Sequence, residues 1–275
     1  MFDEDGSIPS ADKYFPHGGA IEAIRRVITP MRRSFPAWLV VSKYDLLPDM
    51  ILTAYAKSGY RCFKLKITGR DHADDVRRTI EVYRACQSIG VAKPTLVVDS
   101  NEANPDAASV LDFLERLEAL DCNAYHALAY IEQPTARDIV NAPFDWRPIA
   151  ERKPVLLDEG LIDLAILELA RQQGWSGFAL KTCKGHSMLL ATAAWAHSHG
   201  MLLSLQDLTN PGIALIHSAL VGAHLPTING AELNSPQFTP AANEDFIPRL
   251  NCLFRPRDGL HYLPVEKPAG LGSKL

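Results

Sequence analysis

The chain has 275 residues, 47% of them apolar and 22% charged, with 28 Lys and Arg against 32 Asp and Glu, a formal charge of −4. That composition excludes a long disordered protein, and the absence of a concentrated basic stripe gives no reason to expect nucleic acid as a partner. Five scattered cysteines (Cys62, Cys86, Cys122, Cys183, Cys252), never in C-x-x-C spacing, suggest neither a disulfide framework nor a thiolate zinc site. The opening MFDEDGS is acidic where a signal peptide is basic and then apolar, and no run reaches the ~18 apolar residues of a membrane span. The expectation is a soluble, cytoplasmic protein with no membrane partner.

In chain order, short apolar or β-branched runs occur at 37–42, 61–67, 95–99, 130–133, 154–158, 178–182 and 202–206, all of strand length. Between them lie amphipathic stretches: Val76, Ile80 and Tyr83 share one helical face, as do Val110, Leu114 and Leu117. Gly59, Gly90, Gly174 and Gly200 each close a helical pattern shortly before a strand, and Asn210 with Pro211 is expected to open a helix. Polar markers at the strand ends, Lys66, Asp99, Glu132, Asp158, Lys181 and Asp207, are spaced by 33, 33, 26, 23 and 26 residues, about one βα unit each. A weaker eighth strand is expected at 227–233. Eight such units make an α/β fold of the (β/α)8 TIM-type barrel class, expected over 37–258. An open doubly wound sheet is the alternative, but no G-x-G-x-x-G or G-x-x-x-x-G-K-[ST] follows any strand.

Residues two apart on a strand face the same way, so Lys64 and Lys66 point to one side while Phe63, Leu65 and Ile67 point to the other. With the apolar side against the helices, both ammonium groups project inward near the C-terminal end, a costly place unless anions meet them. Asp99, Glu132 and Asp158 end three consecutive strands, which in a barrel lie about 4.8 Å apart, so they can converge on one hard cation. Mg²⁺ suits such an all-oxygen set, with Mn²⁺ the alternative. Lys181 ends the sixth strand, across a closed ring from Lys66.

With these residues in place the chain resembles the barrel domain of the enolase superfamily, in the muconate lactonizing branch of the mandelate racemase/muconate lactonizing enzyme family. The matching elements are Lys64 and Lys66, Asp99 and Asn101, Glu132 with Gln133 and Pro134, Asp158 with Glu159, and Lys181, in that order and spacing. The resemblance implies metal ligation by Asp99, Glu132 and Asp158, with Lys66 and Lys181 as acid and base on opposite faces of a small carboxylate substrate. Lys64 would lower the pKa of Lys66, as a cation beside an amine does. The implied reaction is Mg²⁺-dependent abstraction of an α-proton through a metal-stabilised ene-diolate. General-base catalysis supplies about 3 to 5 kcal/mol of the roughly 8 to 23 kcal/mol by which enzymes lower barriers, so electrostatic stabilisation must carry much of the rest. Racemisation or epimerisation, cycloisomerisation and dehydration use the same groups; two opposed bases favour the first.

Family members carry an N-terminal α+β capping domain of over a hundred residues, whereas about 36 residues precede the first strand here. Residues 1–36 are therefore expected to be a reduced cap or linker, or the chain to be a fragment, and 259–275 to be a tail returning toward a cap. A homo-oligomer, with a partner supplying the cap, is compatible with this. Strand seven lacks the His of the mandelate racemase branch. Asn101, Gln133 and Glu159 are expected supporting groups, as are Asp207 at the strand-seven end and Glu232 in the eighth strand. His186, His197, His199 and His217 are expected on helices, and Cys183 to pack by strand alternation. Two rival readings are a Schiff-base lyase using Lys181 and a noncatalytic metal-binding barrel.

Overall fold

The computed structural model describes residues 11–15 and 17–264. Among the described residues nine strands form: β1 (Ser34–Pro36), β2 (Trp38–Val41), β3 (Cys62–Lys66), β4 (Thr95–Asp99), β5 (Leu128–Glu132), β6 (Val155–Leu157), β7 (Gly177–Lys181), β8 (Leu202–Gln206) and β9 (Leu260–Tyr262). β2 to β8 pair in chain order, all parallel, into one seven-stranded sheet, and β1 pairs antiparallel with β9. Each of the seven apolar runs is a strand of this sheet, because a parallel strand buried on both faces needs apolar residues throughout. Helices connect the strands, including His72–Ser88 and Ala107–Leu120. Their predicted faces are inward: Val76, Ile80, Val110, Leu114 and Leu117 are buried.

Strand alternation splits the apolar interior into two clusters. The larger lies between sheet and helices, and the smaller gathers Trp38, Val97, Tyr130 and Leu156 on the other face. Gly177 is required at the β7–β8 contact, since a Cβ there would lie 2.0 Å from the carbonyl oxygen of Leu202. Gly59 closes the helix Asp49–Ser58 with a φ of 72°, as its place in the sequence predicts.

Three expectations are corrected. Residues 227–233 do not form a regular eighth strand; they contribute one parallel bridge, Gln206 to Glu232. The Asn229 side chain supplies much of the missing ladder, accepting from the Leu205 N–H and donating to the Leu205 carbonyl, each at 3.0 Å. A sheet of seven strands is therefore what the chain builds among the described residues. Its β2 edge is tied by side chains to the same stretch and to the short helix after it (Ser235–Phe238): Trp38 donates to the Asn229 carbonyl at 2.8 Å, and the Gln237 amide pairs with both N–H and carbonyl of Val40. Next, the helix after β8 runs Ile213–His224 and starts at Gly212 (φ 59°), not at Asn210; the Gly212 N–H donates to Asn243 at 2.9 Å. Finally, Cys183 is exposed, because the chain leaves β7 after Lys181 and turns into a 3-10 helix, Thr182–Lys184, where alternation no longer applies.

The N-terminal helix Gly19–Val27 packs against the helix His186–Ser198. Within the expected tail, residues 260–262 form β9, and 265–275 lie outside the described residues. The acidic opening, residues 1–10, lies outside them too. Among the described residues no helix is long and apolar enough to cross a membrane.

Candidate active site

Register places the polar strand ends side by side. Lys66 is level with Asp99 and Asp99 with Glu132; Lys181 is level with Gln206, which bridges to Glu232. Asp158 follows the last residue of β6, two beyond Leu156, the residue level with Glu132. All project to one face at the C-terminal ends of the strands, and all but Lys66 are buried.

Each expected carboxylate holds an ammonium group. Lys64 Nζ lies 2.7 Å from Glu132, 3.1 Å from Asp99 and 3.5 Å from Glu232. Lys66 donates to Asp99 at 2.6 Å and to Asn101 at 2.8 Å. Lys181 lies 2.5 Å from Asp158 Oδ2, and Lys184 lies 3.1 Å from Oδ1. Burial works against the charge of Lys64, but Glu132, Glu232 and Asp99 outweigh it and lift its pKa well above the ordinary value. The same contest raises Lys181, through Asp158. Asp99, despite burial, is held below the usual carboxylate range by Lys64 and Lys66. Glu132 is pushed up to about 8, by burial first and then by Asp99, Asp158 and Glu232, with Lys64 opposing.

The supporting residues divide. Asn101 caps its neighbours, donating to Asp99 from the backbone at 2.9 Å and to Glu159 from the side chain at 3.3 Å. Gln133 accepts from the Asp158 N–H at 2.7 Å and the Gly160 N–H at 3.1 Å, fixing the turn that presents Asp158. Asn101, Glu102 and Gln133 have φ values of 47°, 70° and 31°, left-handed backbone that Glu and Gln rarely adopt, concentrated after β4 and β5. Asp207 accepts from the backbone N–H groups of Thr209 and Asn234 and so organises a loop; burial pushes its carboxyl up to about 6. Glu232 accepts from Asn234 at 3.0 Å.

Two residues join the cluster that the strand-end markers missed. Gln206, not Asp207, is the inward group of β8: its amide reaches Lys64 at 3.3 Å and donates to Glu132. Alternation from Ser204 would have found it. Lys184 is brought beside Lys181 by the three-residue turn after β7, for which the spacing of strands carries no signal.

Among the described residues, no group of three or more His, Cys, Asp or Glu side chains is gathered, as placed, to hold a metal ion. In kind the donors fit a hard divalent cation: they are carboxylate oxygens at adjacent strand ends. The oxygens Glu159 Oε2 and Glu232 Oε2 are buried without a hydrogen-bond partner. Five carboxyl groups (Asp99, Glu132, Asp158, Glu159, Glu232) stand among four lysines (Lys64, Lys66, Lys181, Lys184), and Glu132, pushed up to about 8, is the one that further positive charge would return to its ionised form.

A sequence profile of the family described as enolase C-terminal domain-like matches residues 49–275. Among solved structures, muconate lactonizing enzyme from Klebsiella pneumoniae is similar at 25% identity over 90% of this chain and 65% of its own, with a TM-score of 0.66. N-succinyl Arg/Lys racemase from Bacillus cereus ATCC 14579 is similar at 21% identity over 78% of this chain and 56% of its own, TM-score 0.62. Dipeptide epimerase from Enterococcus faecalis V583 is similar at 16% identity over 78% of this chain and 59% of its own, TM-score 0.61. The chain thus spans less than two thirds of the length of each. No curated protein matches by sequence search. The chain belongs to the enolase superfamily, in its mandelate racemase/muconate lactonizing enzyme family.

Proposed function

We propose that this chain is an isomerase or lyase domain that abstracts the α-proton of a small carboxylate substrate, with Lys66 and Lys181 as the proton-transfer pair. One observation carries the reading: Lys66 ends β3 and Lys181 ends β7, and the three strands between them end in, or just before, the buried carboxylates Asp99, Glu132 and Asp158. Such an order puts an amine on each side of an anionic arc. The solved structures it resembles include a racemase, an epimerase and a lactonizing enzyme, in keeping with that general chemistry.

In this reading Asp99, Glu132 and Asp158 would hold Mg²⁺, which when bound supplies positive charge to the substrate carboxylate as negative charge develops on its oxygens. The side chain of Lys66 is 36% exposed and that of Lys181 10%, so Lys66 meets solvent and Lys181 works from a drier position. To accept a proton either amine must first be neutral, and Asp158 favours the charged form of Lys181. Asp99 and Asp158, which here pair with Lys66 and Lys181, would be shared with the cation they hold, and their hold on the two amines would weaken accordingly. Lys64, enclosed by Asp99, Glu132 and Glu232, stays charged and supplies fixed positive potential. Two opposed amines suit removal of the proton on one face and its return on the other, hence racemisation or epimerisation. An imine on Lys181 is less supported, since that reaction gives the buried carboxylates Asp99, Glu132 and Asp158 no role.

The test is α-hydrogen exchange in deuterated buffer with Mg²⁺, screening N-acyl amino acids and dipeptides by NMR. The expected result is exchange with at least one class, reduced by roughly 100-fold or more in Lys66→Ala and Lys181→Ala. Exchange unchanged in both variants would overturn the assignment.

A further inference from the structure

A cleft of about 500 Å³ opens at the end of the sheet opposite the carboxylate cluster, lined by Lys57, Arg61, Arg255, Arg257 and Asp258. Arg61 immediately precedes β3 and Lys66 ends it, so the cleft and the cluster are separated by the length of a five-residue strand, roughly 16 Å. Among the described residues none of the four cations forms an ion pair. Arg61 donates only weakly to the Asp258 carbonyl, at 3.4 Å. Four unpaired cations in one cleft of a chain that is net acidic ask for an explanation.

Helix ends supply part of one. The helices Asp49–Ser58 and Ile247–Phe254 both finish here, and basic side chains are favourable at helix C-termini. A continuous helix carries about half a negative charge at its C-terminus, and Leu250 (φ −125°, ψ 35°) interrupts the second helix, so the two offset at most about one cation. Three of the nearby carbonyls are already taken: Tyr55 by the Gly59 N–H, Ser58 by the Gly259 N–H and Asn251 by the Arg255 N–H, each at 2.7 Å. Four cations less Asp258 and about one unit of helix charge leave an excess of about +2. A phosphate group carries about −1.5 to −2 at neutral pH and matches that excess.

The backbone is organised for the purpose. Gly59, which lines the cleft, and Gly259 meet so closely that a Cβ on Gly259 would lie 2.4 Å from the Gly59 carbonyl oxygen, which fixes the two segments against each other. Arg257 and Leu260 exchange both backbone hydrogen bonds at 2.9 Å, pinning the turn, and buried Pro256 holds Arg255 and Arg257 one residue apart from each other. Two guanidinium forks on a fixed segment are suited to bidentate recognition of phosphate oxygens. We infer that this cleft binds a phosphate group, either free phosphate or a small phosphomonoester, independently of the carboxylate cluster.

Calorimetric titration of the full chain with inorganic phosphate, glycerol phosphate and succinate at matched ionic strength tests this. The expected result is phosphate-group binding about tenfold or more tighter than succinate, weakened by salt, and lost in Arg255→Ala/Arg257→Ala with unchanged circular dichroism. The same binding should persist in Lys66→Ala. Tighter glycerol phosphate assigns a phosphomonoester, and tighter inorganic phosphate assigns the free ion. Equal binding of succinate, no binding of either phosphate, or binding that survives in the double Arg variant but is lost in Lys66→Ala would overturn the proposal.

Discussion

Gln206 shows what one side chain does at the base of the charged cluster. Its amide stands between Lys64 and Glu132, and no charged group could satisfy both at once. Gln206→Leu should therefore cost about 1–3 kcal/mol in urea unfolding, the penalty of leaving buried polar groups without a partner. An unchanged midpoint would show that the pair is satisfied without the amide. His261 offers a second test at this scale. It is fully buried, its Nδ1 lies 2.6 Å from the Leu253 carbonyl, and burial lowers its pKa to about 4. Unfolded, it titrates near the ordinary histidine value of 6.5, so between these values the unfolded chain binds more protons. Its contribution is complete above about 6.5 and falls by roughly 3 kcal/mol as the pH drops to about 4. His261→Phe should flatten that part of the stability profile, measured by denaturant midpoints across the window. An identical slope in the variant would refute the assignment.

At the scale of elements, the sheet is tight in one place and patched in another. β7 and β8 approach so closely at Gly177 that Gly177→Ala must push Leu202 away, with an expected loss of about 1–3 kcal/mol or more and a lower thermal midpoint. On the far edge, β2 is satisfied by the Gln237 side chain instead of a strand. Gln237→Ala should raise amide hydrogen exchange at Val40 while β4 and β5 stay protected, a local opening that mass spectrometry can resolve. Exchange at Val40 as slow as in the parent would mean that another group pairs with this edge. The expected eighth strand failed for the same reason that Gln237 is needed. At 227–233 the hydrogen-bonding capacity of the neighbouring strand is shared between the Asn229 side chain and the backbone of Ile228 and Glu232, and a mixed edge of this kind has no periodic signature.

Across the whole molecule, the surplus of buried carboxylate predicts a response to divalent ions. If Asp99, Glu132 and Asp158 hold Mg²⁺, the ion stabilises the folded chain by mass action, about 2.7 kcal/mol at 100 times its dissociation constant. The thermal midpoint should rise with Mg²⁺ by several degrees and return on chelation. In Asp158→Asn the rise should be absent, because the neutral amide leaves a divalent ion short of a charge and Lys181 and Lys184 without their anion. A Mg²⁺-independent midpoint in the parent chain would remove the metal from the proposed function.

Most of the scaffold and the charged arc could be read directly from the residues. Buried parallel strands must be apolar along their length, so seven of them stand out at intervals of one βα unit, the period of two puts Lys64 on the same face as Lys66, and the ends of the runs mark Lys66, Asp99, Glu132, Asp158 and Lys181. What linear order could not convey is which neighbour each of those charges meets. Lys64 faces three carboxylates drawn from positions 99, 132 and 232, Gln206 displaces Asp207 from the cluster, and Lys184 swings in beside Lys181. Those contacts depend on strand register and on turns outside any repeat. Local periodicity determined where the polar groups stand along the chain, and three-dimensional packing alone decided how their charges are shared.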